Sequence, residues 1–402
     1  MIVRREEDTR LAVEGGTPVR EKLLPYGRQT IDEDDVAAVV EVLRSDWLTT
    51  GPKVGEFEEA FAQRVGAPHA VAFSSGTAAL HGAIFAADVG PGDEVVTSPL
   101  TFCSTANTVL FQGGTPVFAD ISQDTMCLEP RLAERALTRH SRALLPVDYA
   151  GHAADLGAFR ELADRRGLIL IEDACHSLGA SFEDGPVGSI ADLTVFSFHP
   201  VKHITTGEGG MVTTGDPELA RRMRMFRSHG IDSDPRQRQR TGRWHYEMTE
   251  LGLNYRLPDL MCALGLSQLR KLGANIARRR EIAAAYGERL ADIPELRLPG
   301  VRPGVDPAWH LYAVRVDGIE RETVFRALRA EGIGVNVHYV PVHLHPYYRR
   351  RFGYAGGEFP VAEAAYGSLI SLPMFHGMTD DDVDDVVQAV RKVVKRYTGR
   401  AA

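Results

Sequence analysis

Between residues 69 and 214 the chain alternates short apolar runs with longer stretches that carry an apolar residue every third or fourth position. The runs are 69–73, 94–98, 116–119, 143–147, 168–171, 193–198 and 211–214, and 132–137 and 156–165 are among the helical stretches between them. A run that is apolar at consecutive positions suits a strand covered on both faces. Such strands, mostly separated by helices, predict an α/β fold with a mostly parallel sheet of about seven strands. Ahead of it, Thr30 and Glu33 have capping-box spacing and Asp32, Asp34 and Asp35 fill the first turn of a helix whose apolar face is Val36, Val39, Val40 and Leu43. A second helix presents Val54, Phe57, Phe61 and Val65. Beyond the sheet, Pro258 opens a long helix through Leu264, Leu269, Ile276 and Ile282 toward Leu290. A smaller domain follows, with a strand over 309–316, a helix over 323–330 stopped by Gly332, and a strand over 334–339. Thr379 caps a last helix, with acids in its first turn and Val383, Val386, Val387 and Val390 on one face. The division expected is a lead-in over 1–30 that also contacts substrate, a large domain over 31–275 and a small one over 276–402.

At 402 residues the chain is too long for one compact core, which agrees with two domains. A net charge of −8 argues against a general nucleic-acid binder. The apolar runs fall far short of a membrane span, and the opening Met-Ile-Val-Arg-Arg-Glu-Glu-Asp has no hydrophobic region, so neither a membrane anchor nor a secretory signal is expected. Cys103, Cys127, Cys175 and Cys262 form no CxxC pair, which suggests reduced thiols in a cytoplasmic protein.

Ligands of parallel α/β sheets bind off the carboxyl ends of the strands, so those ends are where unusual chemistry belongs. The first predicted strand runs into Ser74-Ser-Gly-Thr-Ala-Ala-Leu, a turn at a helix start whose free N–H groups and hydroxyls suit a phosphate. The second is followed by Phe102. The fifth ends in Leu-Ile-Glu-Asp-Ala-Cys-His, where Asp173 terminates an apolar strand and needs a cationic partner. The sixth ends at Ser197, five positions before Lys202, in a Thr- and Gly-rich turn where an amine is partly desolvated. Each alone has an ordinary explanation as a helix cap, a core aromatic or a surface lysine. Together they describe a ligand with a phosphate (Gly76, Thr77, Ser197), a flat ring (Phe102), a cationic ring nitrogen (Asp173) and an aldehyde that reacts with an amine (Lys202). Pyridoxal 5′-phosphate has all four properties. A dinucleotide does not fit, because no GxGxxG follows the first strand and no Walker lysine motif is present.

Ser-Ser-Gly-Thr-Ala-Ala-Leu, Ile-Glu-Asp-Ala-Cys-His, Ser-Phe-His-Pro-Val-Lys and Gly-Leu-Asn-Tyr-Arg-Leu-Pro-Asp closely resemble motifs of the DegT/DnrJ/EryC1/StrS sugar aminotransferases, and the likeness runs from about Leu24 to the C-terminus. The resemblance implies the aspartate-aminotransferase fold (fold type I). It implies that Lys202 forms the Schiff base with the cofactor and shuttles the proton, that Asp173 holds the pyridine nitrogen protonated, and that His176 lies against the ring. It further implies that Asn254 reaches the phosphate of a neighbouring subunit's cofactor, making the active unit a homodimer with shared sites, and that Tyr26, Ser75, His338 and Tyr339 lie near a nucleotide sugar. Other members carry Gln or His at the position of His176, and Asn is common where this chain has Ser75. Within the family, the stretch from Phe198 to Gly210 looks most like the transaminase of pseudaminic acid biosynthesis. That implies transfer from glutamate to C4 of a UDP-linked 4-keto-6-deoxy-N-acetyl hexosamine. Another 3- or 4-keto sugar nucleotide, dTDP- or GDP-linked, is the alternative substrate. A deoxysugar dehydratase is the alternative reaction, although some relatives of that type carry His where this chain has Lys202. His338, His343 and His345 match no strong zinc pattern, so no metal is expected and a polar lining of the sugar pocket is the preferred reading. Arg236, Arg238, Arg240 and Arg243 read either as a solvated loop or as forks for the substrate's diphosphate.

Overall fold

The structure is a computed structural model and describes residues 10–183, 185–233, 238 and 241–399. Its centre is a seven-stranded sheet of β1 (His69–Phe73), β2 (Glu94–Thr97), β3 (Thr115–Phe118), β4 (Ser141–Leu145), β5 (Ile169–Asp173), β6 (Leu193–Ser197) and β7 (Gly210–Thr214). The spatial order is β1-β7-β6-β5-β4-β2-β3, and only β7 runs antiparallel to its neighbours. The reason lies in the connection. A parallel return needs a crossover, usually a helix, whereas the segment between β6 and β7 has none and folds straight back. Phe198 N–H donates to the Gly209 carbonyl at 2.9 Å and closes this turn, which carries Lys202 at the carboxyl end of β6.

Alternate residues of each strand enter two different cores. Ala70, Ala72, Leu144, Leu170, Phe196 and Met211 pack on one face with Phe57 and Phe61 of the helix Pro52–Val65. Val71, Phe73, Leu145, Ile171, Val195 and Val212 pack on the other with the helices Gly76–Ala86 and Pro217–Phe226. Both faces being covered is the physical content of the unbroken apolar runs. A third core joins the last helix, Asp380–Thr398, to a three-stranded sheet of Leu296–Arg297, Tyr312–Val316 and Leu369–Leu372. The 32-residue helix Asp259–Leu290 belongs to both large bodies, with Leu269, Leu272 and Ile276 in the first core and Ile282, Tyr286 and Leu290 in the third. Fully buried Arg279 lies between these two stretches.

Three expectations need correction. The first helix, Glu33–Leu43, is capped by Asp32 and not Thr30: Asp32 accepts from Asp35 N–H, and the Asp35 side chain accepts from Asp32 N–H. Its packed side is also different, since Val36 and Leu43 are exposed while Asp35 is buried against Gln268 and Lys271 of the long helix. A carboxylate with these partners can be covered at little cost, and of the helix's valines it is Val42 that is buried, with Val39 and Val40 half-buried. The segment over 334–339 is not a strand; it makes a single bridge from Asn336 to Ser371 and otherwise runs along the site described next. The unforeseen strand Leu369–Leu372 takes the place beside Tyr312–Val316.

Candidate active site

The carboxyl ends of β1, β5 and β6 and the segment over 336–339 enclose a cavity of about 530 Å³. At one corner β1 turns directly into the helix Gly76–Ala86. Ser75 caps that helix, its Oγ accepting from Ala78 N–H at 3.1 Å. Gly76 and Thr77 begin the first turn, where backbone N–H groups have no intrahelical acceptor. Ser197 stands across from them, and a Cβ added to Gly76 would lie 2.9 Å from Ser197 Cβ. The space is a cradle that only glycine leaves open.

Asp173, nearly buried at the end of β5, faces the same cavity. Its Oδ2 accepts from Thr105 Oγ1 at 2.7 Å and its Oδ1 from Cys175 N–H at 3.3 Å. Thr101 Oγ1 lies 2.8 Å from Thr105 Oγ1 and extends the chain of hydroxyls. Behind it, Glu172 and Asp148 are buried carboxyls. Burial pushes Asp148 up to about 6, and burial together with Asp148 holds Glu172 well above its usual range. Phe102 is 53% exposed and its ring centroid is 5.8 Å from that of Tyr339, so a large apolar face is left open toward the cavity. His176 Nε2 lies 3.1 Å from Tyr339 Oη, and its ring centroid is 4.4 Å from that of His310. Burial and the nearby Lys202 keep His176 neutral, and its buried Nδ1 finds no hydrogen-bond partner among the described residues.

Lys202 projects into this cavity from the turn after β6. Burial, opposed by Cys175 and Asp173 and aided by Arg279, lowers its ammonium pKa to about 8. Tyr26 and His338 close the outer side with ring centroids 5.1 Å apart, and Ser371 Oγ lies 2.9 Å from His338 Nδ1. Burial depresses His338 to about 4. Eleven of the twelve residues singled out from the sequence therefore line one cavity.

Asn254 is the exception. It is exposed on a segment bridged to Ser228, away from this cavity. The other candidates disperse. His338 lines the cavity, but His343 pairs with Glu363 at 3.0 Å, and that carboxylate is already taken by backbone N–H groups of Gly357 and Phe359. Arg236 and Arg240 lie outside the described residues, and Arg238 bonds Ser233 and sits over the Tyr246 ring. The sequence reading missed Thr105, His310, Asn336 and Arg279. Thr105 was reachable, since it follows Thr101 at helical spacing just past the second strand, whereas nothing in the pattern around His310 or Asn336 marks a site.

The donor set fits pyridoxal phosphate. The first-turn N–H groups of Gly76 and Thr77 and a glycine cradle suit a phosphate, a carboxylate held by hydroxyl and amide suits a protonated ring nitrogen, an open aromatic face suits a flat ring, and a lowered lysine suits an aldehyde.

Residues 29–391 match the profile of the DegT/DnrJ/EryC1/StrS aminotransferase family. The chain is 45% identical over 382 residues to the spore coat polysaccharide biosynthesis protein SpsC of Bacillus subtilis, covering 94% of this chain and 98% of that protein. Among solved structures it resembles Helicobacter pylori PseC, an aminotransferase involved in the biosynthesis of pseudoaminic acid, at 32% identity and a TM-score of 0.87 over 93% of this chain and 100% of that one. It also resembles the PLP form of the sugar aminotransferase Spr1654 of Streptococcus pneumoniae, at 30% identity and a TM-score of 0.87 over 93% of this chain and 99% of that one. With the profile spanning most of the chain and the strand-end cavity as described, the protein belongs to the DegT/DnrJ/EryC1/StrS family of PLP-dependent sugar aminotransferases.

Proposed function

We propose that the protein transfers the amino group of glutamate to C4 of a UDP-linked 4-keto-6-deoxy-N-acetyl hexosamine in two half-reactions. The observation that carries the chemistry is the convergence of Lys202, Asp173 and the Gly76–Thr77–Ser197 cradle on one cavity. When bound, pyridoxal phosphate supplies an aldehyde that reacts with amines and a ring that accepts electrons. Gly76, Thr77 and Ser197 would bind its phosphate, Phe102 and His176 would lie against its ring, and Asp173 would keep a proton on the ring nitrogen. Lys202 Nζ carries a proton to and from the substrate carbon. With a pKa of about 8, about a tenth of it is neutral at pH 7, against less than a thousandth for an ordinary lysine. Tyr26, Ser75, His338 and Tyr339 line the side on which the sugar enters.

A role in pseudaminic acid biosynthesis is supported by the likeness to PseC. The 45% identity to SpsC favours a second reading, another 3- or 4-keto sugar nucleotide used in polysaccharide assembly. Purified protein incubated with glutamate and a panel of UDP-, dTDP- and GDP-linked 3- and 4-keto sugars separates the two, because product regiochemistry and base preference are read together. Loss of a hydroxyl without amine gain in every case would instead mean a dehydratase.

The working unit is a homodimer with shared sites. Support comes from exposed Asn254 and from exposed apolar residues earlier in the same segment, Trp244 at 84% and Leu251 at 81%. A cytoplasmic location is supported by four free cysteines. Among the described residues no helix is long and apolar enough to cross a membrane.

A further inference from the structure

We propose that Arg279, with Asn275 one turn before it, is a positioning residue of the reaction that clamps the backbone on both sides of Lys202. Asn275 Nδ2 donates to the His203 carbonyl at 3.2 Å, and Arg279 Nη2 donates to the Val201 carbonyl at 3.4 Å. The two side chains sit at i and i+4 on one face of the long helix, so they meet a single short segment. The residue between their targets is Lys202. Arg279 Nη1 reaches the carbonyls of Trp309 at 3.0 Å, His310 at 3.3 Å and Met374 at 3.0 Å. One guanidinium thus ties the Lys202 turn to the strand approach that carries His310, the residue behind His176, and to the small-domain core. Trp309 holds a left-handed backbone (φ 49°), which a non-glycine residue keeps only where its surroundings impose it.

The cost of this arrangement argues that it is more than packing. Arg279 is fully buried, and among the described residues no carboxylate pairs with it. Burial lowers its pKa only to about 9, so it remains a cation at neutral pH. A buried cation held by carbonyl dipoles alone is expensive, and a methionine of similar length would fill the space at less cost. What a methionine could not do is fix four carbonyls, or set a permanent positive charge near Lys202. The groups facing Lys202 are Asp173 and Cys175 from the end of β5, His176 after it, His199, His203 and Glu208 from its own turn, and His310 and His338 from the small-domain side. The histidines are depressed and neutral, which leaves Arg279 as the fixed cation that favours the neutral amine.

The inference rests on Lys202 being the reacting amine, and the test separates the two ideas. Full-length apoprotein is mixed with pyridoxal phosphate and the rate of covalent capture is followed against pH, for wild type, Arg279→Met, Arg279→Lys, Asn275→Ala and Lys202→Ala. The glutamate half-reaction is then measured on each loaded protein. Removing the cation should raise the midpoint of the capture profile by about half a unit or more, slowing capture at pH 7 about threefold. The same variant should slow the half-reaction at least about tenfold with little change in glutamate saturation. Arg279→Lys should restore the midpoint but only part of the rate, and Asn275→Ala should slow the half-reaction and leave the midpoint in place, since it removes a bond and no charge. If Arg279→Met does not fold, the Lys and Asn275 variants still decide the matter: wild-type rates in both overturn the clamp. A folded Arg279→Met with an unchanged midpoint and rate overturns it too. Covalent capture persisting in Lys202→Ala would remove Lys202 itself from the reaction and the clamp with it.

Discussion

Replacing Asp173 with Asn tests whether this carboxylate acts by its charge. In the structure Asp173 is 4% exposed, and its firmest bond is Oδ2 to Thr105 Oγ1 at 2.7 Å. An Asn side chain of the same shape can keep its oxygen on Thr105 while its NH₂ takes the place of Oδ1, giving up the longer bond from Cys175 N–H. That NH₂ donates where the carboxylate accepts, so the ring nitrogen becomes an unprotonated acceptor and the ring a poorer electron sink. Removing one partner of a buried charged pair costs about 3–5 kcal/mol. At 1.36 kcal/mol per tenfold, this corresponds to a loss of roughly a hundredfold to several thousandfold in each half-reaction. Thr105→Val removes only a hydrogen bond to the charged acceptor and is expected to cost about tenfold. The assay is a single turnover of loaded enzyme with glutamate, followed by cofactor absorbance, with retention of cofactor on gel filtration as the control. Rates within about threefold of wild type, with cofactor retained, would refute the reasoning and make Asp173 a structural residue.

Gly76→Ala puts a Cβ 2.9 Å from Ser197 Cβ, and cofactor affinity measured by equilibrium dialysis should fall at least about tenfold while the melting temperature changes little. Lys202→Ala and Asn254→Ala proteins, each inactive alone, should regain partial activity after subunit exchange, because one site of the heterodimer is then intact; a fully active monomer excludes shared sites. Burial raises the carboxyls of Glu172 and Asp148 above their unfolded values, so the folded state keeps protons that the unfolded chain releases and stability falls as pH rises through that window. Glu172→Gln can still accept from Thr194 Oγ1, and its melting temperature should fall less than that of wild type between about pH 5 and about pH 8; parallel curves would show that the pair does not titrate as described.

The sheet was legible because both of its faces are covered, and a strand with two dry faces is apolar except where a polar side chain finds a buried partner, as Glu172 does in Thr194. All seven main strands therefore lie within two residues of the runs read from the sequence. The strand ends were legible for a related reason: Asp173 and Ser197 stand at the ends of apolar runs, where a polar group stands out against its neighbours, and Lys202 follows in the polar turn just beyond. Packing of one helix against another was not legible. The pattern of Val36 and Leu43 suggests an apolar face, but which side is covered depends on Asp35 finding Gln268 and Lys271 more than 230 positions away. The segment over 334–339 has strand composition, yet the strand Leu369–Leu372 occupies the place beside Tyr312–Val316. His310 and Arg279 acquire their roles only from folding, because each acts on a partner that the chain brings from elsewhere. Local polarity against an apolar run is written into the sequence, whereas the choice of partner for a buried polar group is made by tertiary structure.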